Sequence, residues 1–164
     1  ELTQTASGFI GVNTHKANGI VREALLAKQV IDLAHYDIVR SEVPFRSSRI
    51  DFMLSGAGLQ NAWVEVKNVT LFENESLYFP DAVTTRGLKH LHDLMQIAEQ
   101  GERAVIFFLI NRPEEGPFRP AAHIDISYAD TLREAVQKGV ELLAYRVLSS
   151  PEAISLGERV PYIL

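Results

Sequence analysis

Two acids and one amine stand out by their settings. Arg49-Ile50-Asp51-Phe52-Met53-Leu54 puts a carboxylate in an apolar run, and Trp63-Val64-Glu65-Val66-Lys67 puts a second one two residues before a lysine. Both runs read as β-strands. A strand's period of two turns Glu65 and Lys67 to one face together with Trp63, and Val64 and Val66 to the other. If the strands pair as a hairpin, Asp51 comes close to Glu65. Aspartate is depleted in strands and needs a reason to be in one. Two carboxylates beside an ammonium suit phosphodiester hydrolysis. Mg²⁺ takes oxygen ligands and usually only one or two protein carboxylates. Such an ion, Mg²⁺ or Mn²⁺, polarises a phosphoryl oxygen and makes bound water nucleophilic near neutral pH. Asp51 and Glu65 are the expected metal ligands, and Lys67 the group that orients water and offsets developing charge. The competing reading of Glu-x-Lys is a solvent-facing charge pair.

The elements needed to position these residues can be read along the chain. Phe9 to Asn13 reads as a short strand, with Thr14 or a nearby Asn as cap for a helix carrying Ile20, Val21, Ala24, Leu25 and Ile31. Ile38 to Phe45 and Arg49 to Leu54 read as strands joined through Arg46-Ser47-Ser48. Gly56 and Gly58 mark a turn, and Ala62 to Val69 reads as a third strand. Thr84 to Gln100 is helical, with Leu88, Leu91, Met95 and Ala98 on one stripe and Gly101 as its stop. Arg103 to Ile110 is almost wholly apolar, as in a strand covered on both faces. Pro113 to Pro120 reads as a loop, Tyr128 to Lys138 as a helix stopped by Gly139, and Val140 to Leu148 as a last strand. The expectation is one α/β domain over residues 1–164, with a mixed sheet flanked by helices.

Composition narrows the partners. With 164 residues the chain is long enough for one domain with its own core, and lacking cysteine it has neither disulfides nor thiolate metal sites. The longest apolar run, Ala104 to Ile110, is of strand length, and a cytoplasmic protein is expected. The net charge of −5 argues against tight autonomous DNA binding, because phosphate neutralisation draws on Lys and Arg. The chain opens at Glu1 without Met, which suggests a fragment or a processed product.

Longer motifs point to a family. Ser48 to Phe52, Val64 to Leu71 and Tyr78 to Leu91, with Ala104 to Phe108, Val12-Asn13-Thr14 and Ala17-Asn18, resemble the sugar fermentation stimulation protein family (SfsA) of bacteria and archaea. The resemblance implies a DNA-binding protein with a core of the PD-(D/E)XK, restriction-endonuclease-like class, and an OB-like domain upstream that this chain lacks. Ile50 stands where that motif has Pro before the Asp. The resemblance also implies a further catalytic carboxylate at Glu23 on the first helix, for which a solvated helix charge is the alternative. Arg46, Arg49, Arg86 and Lys89 are the expected nucleic-acid contacts. His90 is read as a surface histidine, and Asp81 as a helix cap. The expected function is a DNA-binding protein with a divalent-metal-dependent nuclease site. The alternative is a non-catalytic DNA-binding regulator of sugar metabolism genes that keeps the fold.

Overall fold

The protein is described by a computed structural model covering residues 2–5, 8–11, 16–149 and 153–164. Strands β1 (Leu2–Thr5) and β2 (Gly8–Gly11) form an antiparallel pair ahead of helix α1 (Ala17–Leu26). The capping expected of Asn13 and Thr14 falls outside the described residues. Asn18 lies inside α1 and is not a cap; Lys16 holds that position without a side-chain bond. The apolar stripe of α1 is Ala17, Val21, Ala24 and Leu25. Ile31 falls outside it, because the helix stops at Leu26 and Ile31 opens a 3-10 turn with 82% of its surface exposed.

Strands β3 (Ile38–Phe45), β4 (Ser48–Ser55) and β5 (Ala62–Val69) run as an antiparallel meander. The β3–β4 turn is the two residues Arg46-Ser47, and Arg46 takes the positive φ that such tight hairpins require. Where the sequence offered only a connection after Val69, the chain makes a small hairpin, β6 (Leu71–Glu73) and β7 (Ser76–Phe79). Helix α2 (Thr85–Glu99) follows, its first turn capped by Thr84 Oγ1, which accepts from Gly87 N at 2.9 Å. Thr84, not Asp81, is therefore the cap. Gly101 closes α2 at φ 85°: its amide donates to Ala98 O, and the amide of Glu102 donates to Ile97 O. That left-handed stop is costly for a residue with a Cβ.

Strand β8 (Arg103–Ile110) lies parallel to β5 and is buried from Ala104 onward. The expected loop of Pro113 to Pro120 contains a short strand, β9 (Phe118–Pro120), parallel to β7. Helix α3 (Ile126–Gln137) starts two residues before the expected Tyr128. Its cap is Asp125, which accepts from Tyr128 N through Oδ1 and from Thr84 N through Oδ2, each at 3.0 Å. One carboxylate thus fixes the start of α3 against the start of α2. Strand β10 (Glu141–Ser149) runs parallel to β8, and β11 (Ile154–Arg159), absent from the sequence reading, pairs antiparallel on its outside.

The main sheet has the order β11-β10-β8-β5-β4-β3, and both faces are covered. Ala104, Ile106 and Phe108 pack with Leu91, Leu94 and Leu132 on the α2–α3 side, whereas Val105, Phe107 and Leu109 pack with Val21 and Leu25 of α1. Coverage on both sides is why β8 reads as a continuous apolar run. This mixed sheet between helices is the restriction-endonuclease-like core that the sequence led us to expect. No helix of the described residues is long and apolar enough to cross a membrane.

Candidate functional site

The chemistry begins where β4 parts from β5. Their pairing runs from Leu54↔Ala62 to Phe52↔Val64 and then stops. Across from Asp51 in the β3–β4 register, Glu42 takes a φ of 54°, bending the outer strand there. Ile50 and Phe52, two residues apart, would share a face of a regular strand. Here Ile50 packs on the α2–α3 side and Phe52 on the α1 side, so β4 twists about Asp51. Backbone polar groups freed by the parting strands need partners, and the acids supply them. Val66 N donates to Asp51 Oδ2 at 2.8 Å, and Asp51 N donates to Glu65 Oε2 at 3.3 Å. Asn18 of α1 completes the shell, donating from Nδ2 to Asp51 Oδ1 at 2.8 Å.

Glu65 sits deeper, with 2% of its surface exposed. Lys67 Nζ donates to its Oε1 at 2.8 Å, and His90 Nδ1 lies 2.5 Å from the same oxygen. A contact that short needs a proton between the two atoms, so His90 presents an Nδ1–H to Glu65. Lys67 Nζ and His90 Nδ1 are 3.0 Å apart. Both cation-capable groups therefore gather on Oε1, and Oε2 is left to the Asp51 side. The two carboxyls respond in opposite directions. Burial pushes Asp51 above the usual aspartate range and the charge of Glu65 adds to that, against hydrogen bonds from Val66 and Asn18. Burial also acts to raise Glu65, but the hydrogen bond from His90 and the charge of Lys67 outweigh it and hold Glu65 below its usual range.

Asp51, Glu65 and Lys67 thus converge, and Glu23 does not join them. Glu23 is exposed and lines a different hollow with Gln29 and Ile154 to Leu156 of β11. The α1 stripe sets this outcome. Asn18 and Arg22 line a small pocket with Glu42 and Asp51, and Glu23 stands roughly 140° around the helix from Asn18. His90 corrects a second expectation, since it is buried at 4% exposure and bound to Glu65 rather than lying on the surface. Sequence reasoning missed both Asn18 and His90. The available signals were Asn18 bordering the α1 stripe and His90 adjoining Leu91 on the buried side of α2.

Beside the carboxylates lies a cleft of about 570 Å³ between the β3–β4 turn and α2, lined by Pro44, Arg46, Ser47, Ser48, Arg49, Arg86, Lys89 and His90. All four expected nucleic-acid contacts, Arg46, Arg49, Arg86 and Lys89, meet there. Lys89 Nζ donates to Ser47 O at 3.2 Å and ties the turn to the helix. His90 belongs to both regions, lining the cleft and contacting Glu65.

Among the described residues no three acidic or histidine side chains form a metal-holding group. The Asp51–Glu65 pair nonetheless has the hard oxygen donors that Mg²⁺-type ions use one or two at a time. Burial first, and the charge of Glu65 second, raise the Asp51 carboxyl.

Comparison with known proteins agrees with this architecture. The structure of SfsA from Pyrococcus furiosus, determined in complex with Ca²⁺, superposes with a TM-score of 0.88 at 23% identity, over 99% of this chain and 77% of that one. Residues 15–153 match the sequence model of the sugar fermentation stimulation protein RE domain, and the chain belongs to that family.

Proposed function

We propose that this protein binds DNA and hydrolyses phosphodiester bonds with a divalent cation held by Asp51 and Glu65. The observation that carries the proposal is the unequal carboxylate pair: Lys67 and His90 lie on one oxygen of Glu65, Asp51 is raised, and a four-cation cleft lies alongside. The cation, of the class named for the Pyrococcus furiosus protein, would supply Lewis acidity and a water of lowered pKa. The chain's own residues divide the remaining work. Asp51 and Glu65 hold their positions through Val66 N, Asn18 and His90. Lys67, next to Glu65, orients the attacking water and offsets charge growing on the phosphoryl oxygens. Arg46, Arg49, Arg86 and Lys89 hold the backbone of the strand, concentrating positive charge that the net −5 of the chain hides.

Calorimetry with Mn²⁺, run beside cleavage of labelled single- and double-stranded DNA, tests this reading. Metal uptake with metal-dependent cleavage is the expected outcome. DNA binding should be weak and steeply salt-dependent, and Arg86→Ala should lower the slope of log affinity against log salt by about one. Tight binding that ignores salt would remove the phosphate-led account.

One observation favours the non-catalytic regulator. Both oxygens of Asp51 and Oε1 of Glu65 already have protein partners, so the acids can serve as a closed structural cluster. DNA binding without cleavage of either substrate selects that alternative.

A further inference from the structure

The small sheet, of order β6-β7-β9, carries a second basic concavity away from the acids. Leu77 and Phe118 face each other across β7 and β9 and are wholly buried. A strand's period of two turns the next pair, Tyr78 and Arg119, to the outer face. There they line a cavity of about 330 Å³ together with His123 and with Arg133 of α3. Among the described residues no Asp or Glu side chain lines it, which is unusual in a chain of net charge −5. Two of the three basic groups have acids of their own. His123 Nε2 lies 2.9 Å from Glu73 Oε2, and Arg133 Nη1 donates to Asp130 Oδ1 at 2.9 Å. Arg119 is half-buried and has neither ion pair nor hydrogen bond with any described residue. A guanidinium offers five donors in a flat fork, and that fork matches an anion presenting two oxygens, such as a phosphate.

Tyr78 adds a contact of a different kind. The ring of His123 meets it edge-on, with centroids 5.0 Å apart and planes at 82°. Such a contact fixes the tyrosine ring and takes up at most one of its two faces. A fixed aromatic face beside an unpaired guanidinium can receive a base on the ring and the adjoining phosphate on the cation. The cavity is large enough for one such unit. An acidic peptide would engage the arginine and leave the ring unused. A duplex would offer phosphates only, because its bases are stacked inside. We infer that this outer face is a stacking platform for an unpaired base, so that the nucleic acid held by the domain is a single strand or a single-stranded flank. This rests on the nucleic-acid reading given above and adds the strandedness to it. Arg86 of the basic cleft follows Tyr78 by eight residues, so the two lie within about 29 Å, the reach of extended chain. At about 3.4 Å per nucleotide, a strand of roughly nine nucleotides covers that distance and engages both sites.

The test uses a labelled oligonucleotide longer than that span, as a single strand, a blunt duplex and a duplex with an unpaired overhang, in chelator to prevent cleavage. Polarisation should show the single strand and the overhang bound more tightly than the blunt duplex. Tyr78→Ala should lower single-strand affinity by about fivefold or more, the lower end of what one base–aromatic stack contributes, and leave blunt-duplex affinity unchanged. Tyr78→Phe should keep the wild-type preference, because the ring face and not the hydroxyl does the binding. Arg119→Ala should reduce the slope of log affinity against log salt by about 0.7 for the single strand. 2-Aminopurine placed in the strand should change its fluorescence on binding to the wild type and to Tyr78→Phe, but not to Tyr78→Ala. Equal changes for single strand and blunt duplex in Tyr78→Ala, or no change in either, overturn the platform. DNA binding through the cleft then still stands if Arg86→Ala weakens it. Poly-glutamate that displaces the single strand from the wild type and binds Tyr78→Ala equally well assigns the cavity to an acidic peptide and overturns the platform too. Wild-type protein that binds none of the three oligonucleotides overturns both the platform and the nucleic-acid reading.

Discussion

Of the charged clusters on the central sheet, two are assembled on opposite principles. At the N-terminal ends of β8 and β10, Arg103 grips Glu141 with two parallel bonds of 2.9 and 2.8 Å. Nearby, Asp32 accepts from Arg159 and from Tyr145 OH, each at 3.2 Å. Each of those acids has an arginine of its own, Arg103 for Glu141 and Arg159 for Asp32, and the bond to Glu141 pushes the Arg103 guanidinium further up. Where β4 leaves β5, the pairing is lopsided. Lys67 and His90 both bear on Glu65 Oε1, and among the described residues Asp51 forms no ion pair. Balanced charge holds strands together. Unbalanced carboxylates, kept in place by backbone amides and an asparagine, are a standing attraction for a cation from outside.

The comparison breaks most visibly in the rate of any hydrolysis. Lys67→Ala should leave Mn²⁺ binding largely intact while lowering turnover by about 10²–10³, the usual cost of losing one positioned electrostatic group. Asp51→Asn should remove metal binding and turnover together, since an amide is a poorer ligand for a hard cation. Calorimetry and cleavage assays on the two variants decide the matter. Equal losses of metal affinity in both would mean that Lys67 holds Glu65 in place rather than acting on the reaction.

The next effect is on stability, and its sign differs between the two acids. Glu65 is held below its ordinary value of 4.5, so its contribution is present above that pH and fades as acid carries the protein through the folded-state pKa. Glu65→Gln should therefore melt below the wild type near neutral pH, with the gap narrowing on acidification. Asp51 is raised above 3.8, so whatever it contributes is present below that pH and is lost as pH rises through the folded-state value. Without divalent ions, Asp51→Asn should melt above the wild type at neutral pH, and the advantage should vanish in acid. Mn²⁺ at 100 times its Kd stabilises the wild type by about 2.7 kcal/mol and should reverse the order. Thermal melts across pH, with and without metal, show whether the signs are opposite. Two variants that shift the same way would end the contrast between the acids.

How far this was legible in the sequence follows from the range of the interactions. The convergence of Asp51, Glu65 and Lys67 could be anticipated because strand period and hairpin adjacency are local. The basic cleft gathers Arg46 and Arg49, which flank the hairpin loop, and Arg86 and Lys89 of the helix that follows the Glu-x-Lys strand, both of them local features. Glu23 was misplaced because the rotation of α1 against β4 is fixed by how Ala17, Val21, Ala24 and Leu25 pack, which no local pattern encodes. His90 was underrated for the same reason: its burial depends on α2 packing over the strand that carries Glu65. The short strands β6, β7 and β9 escaped because three or four residues hold too little periodicity to read. Their order also depends on distant pairing such as Leu77 N to Pro117 O at 3.0 Å.

The smallest effect tests the balanced cluster. Arg103 and Glu141 side chains are 25% and 39% exposed, so solvent screens the pair despite its two-pronged geometry. Arg103→Ala should cost about 0.5–1 kcal/mol, which for a chain of this size lowers Tm by about 1–4 °C. It should leave Mn²⁺ affinity and DNA binding unchanged, because Arg103 shares no partner with Asp51, Glu65 or Lys67. Combined with Lys67→Ala, the two stability changes should add within about 0.3–0.5 kcal/mol, as separate networks do. A double mutant departing from additivity by more than that would mean that the clusters communicate through β5 and β8, which pair from Ala62↔Arg103 to Val69↔Ile110. The matched charges would then help to set the geometry of the unmatched ones.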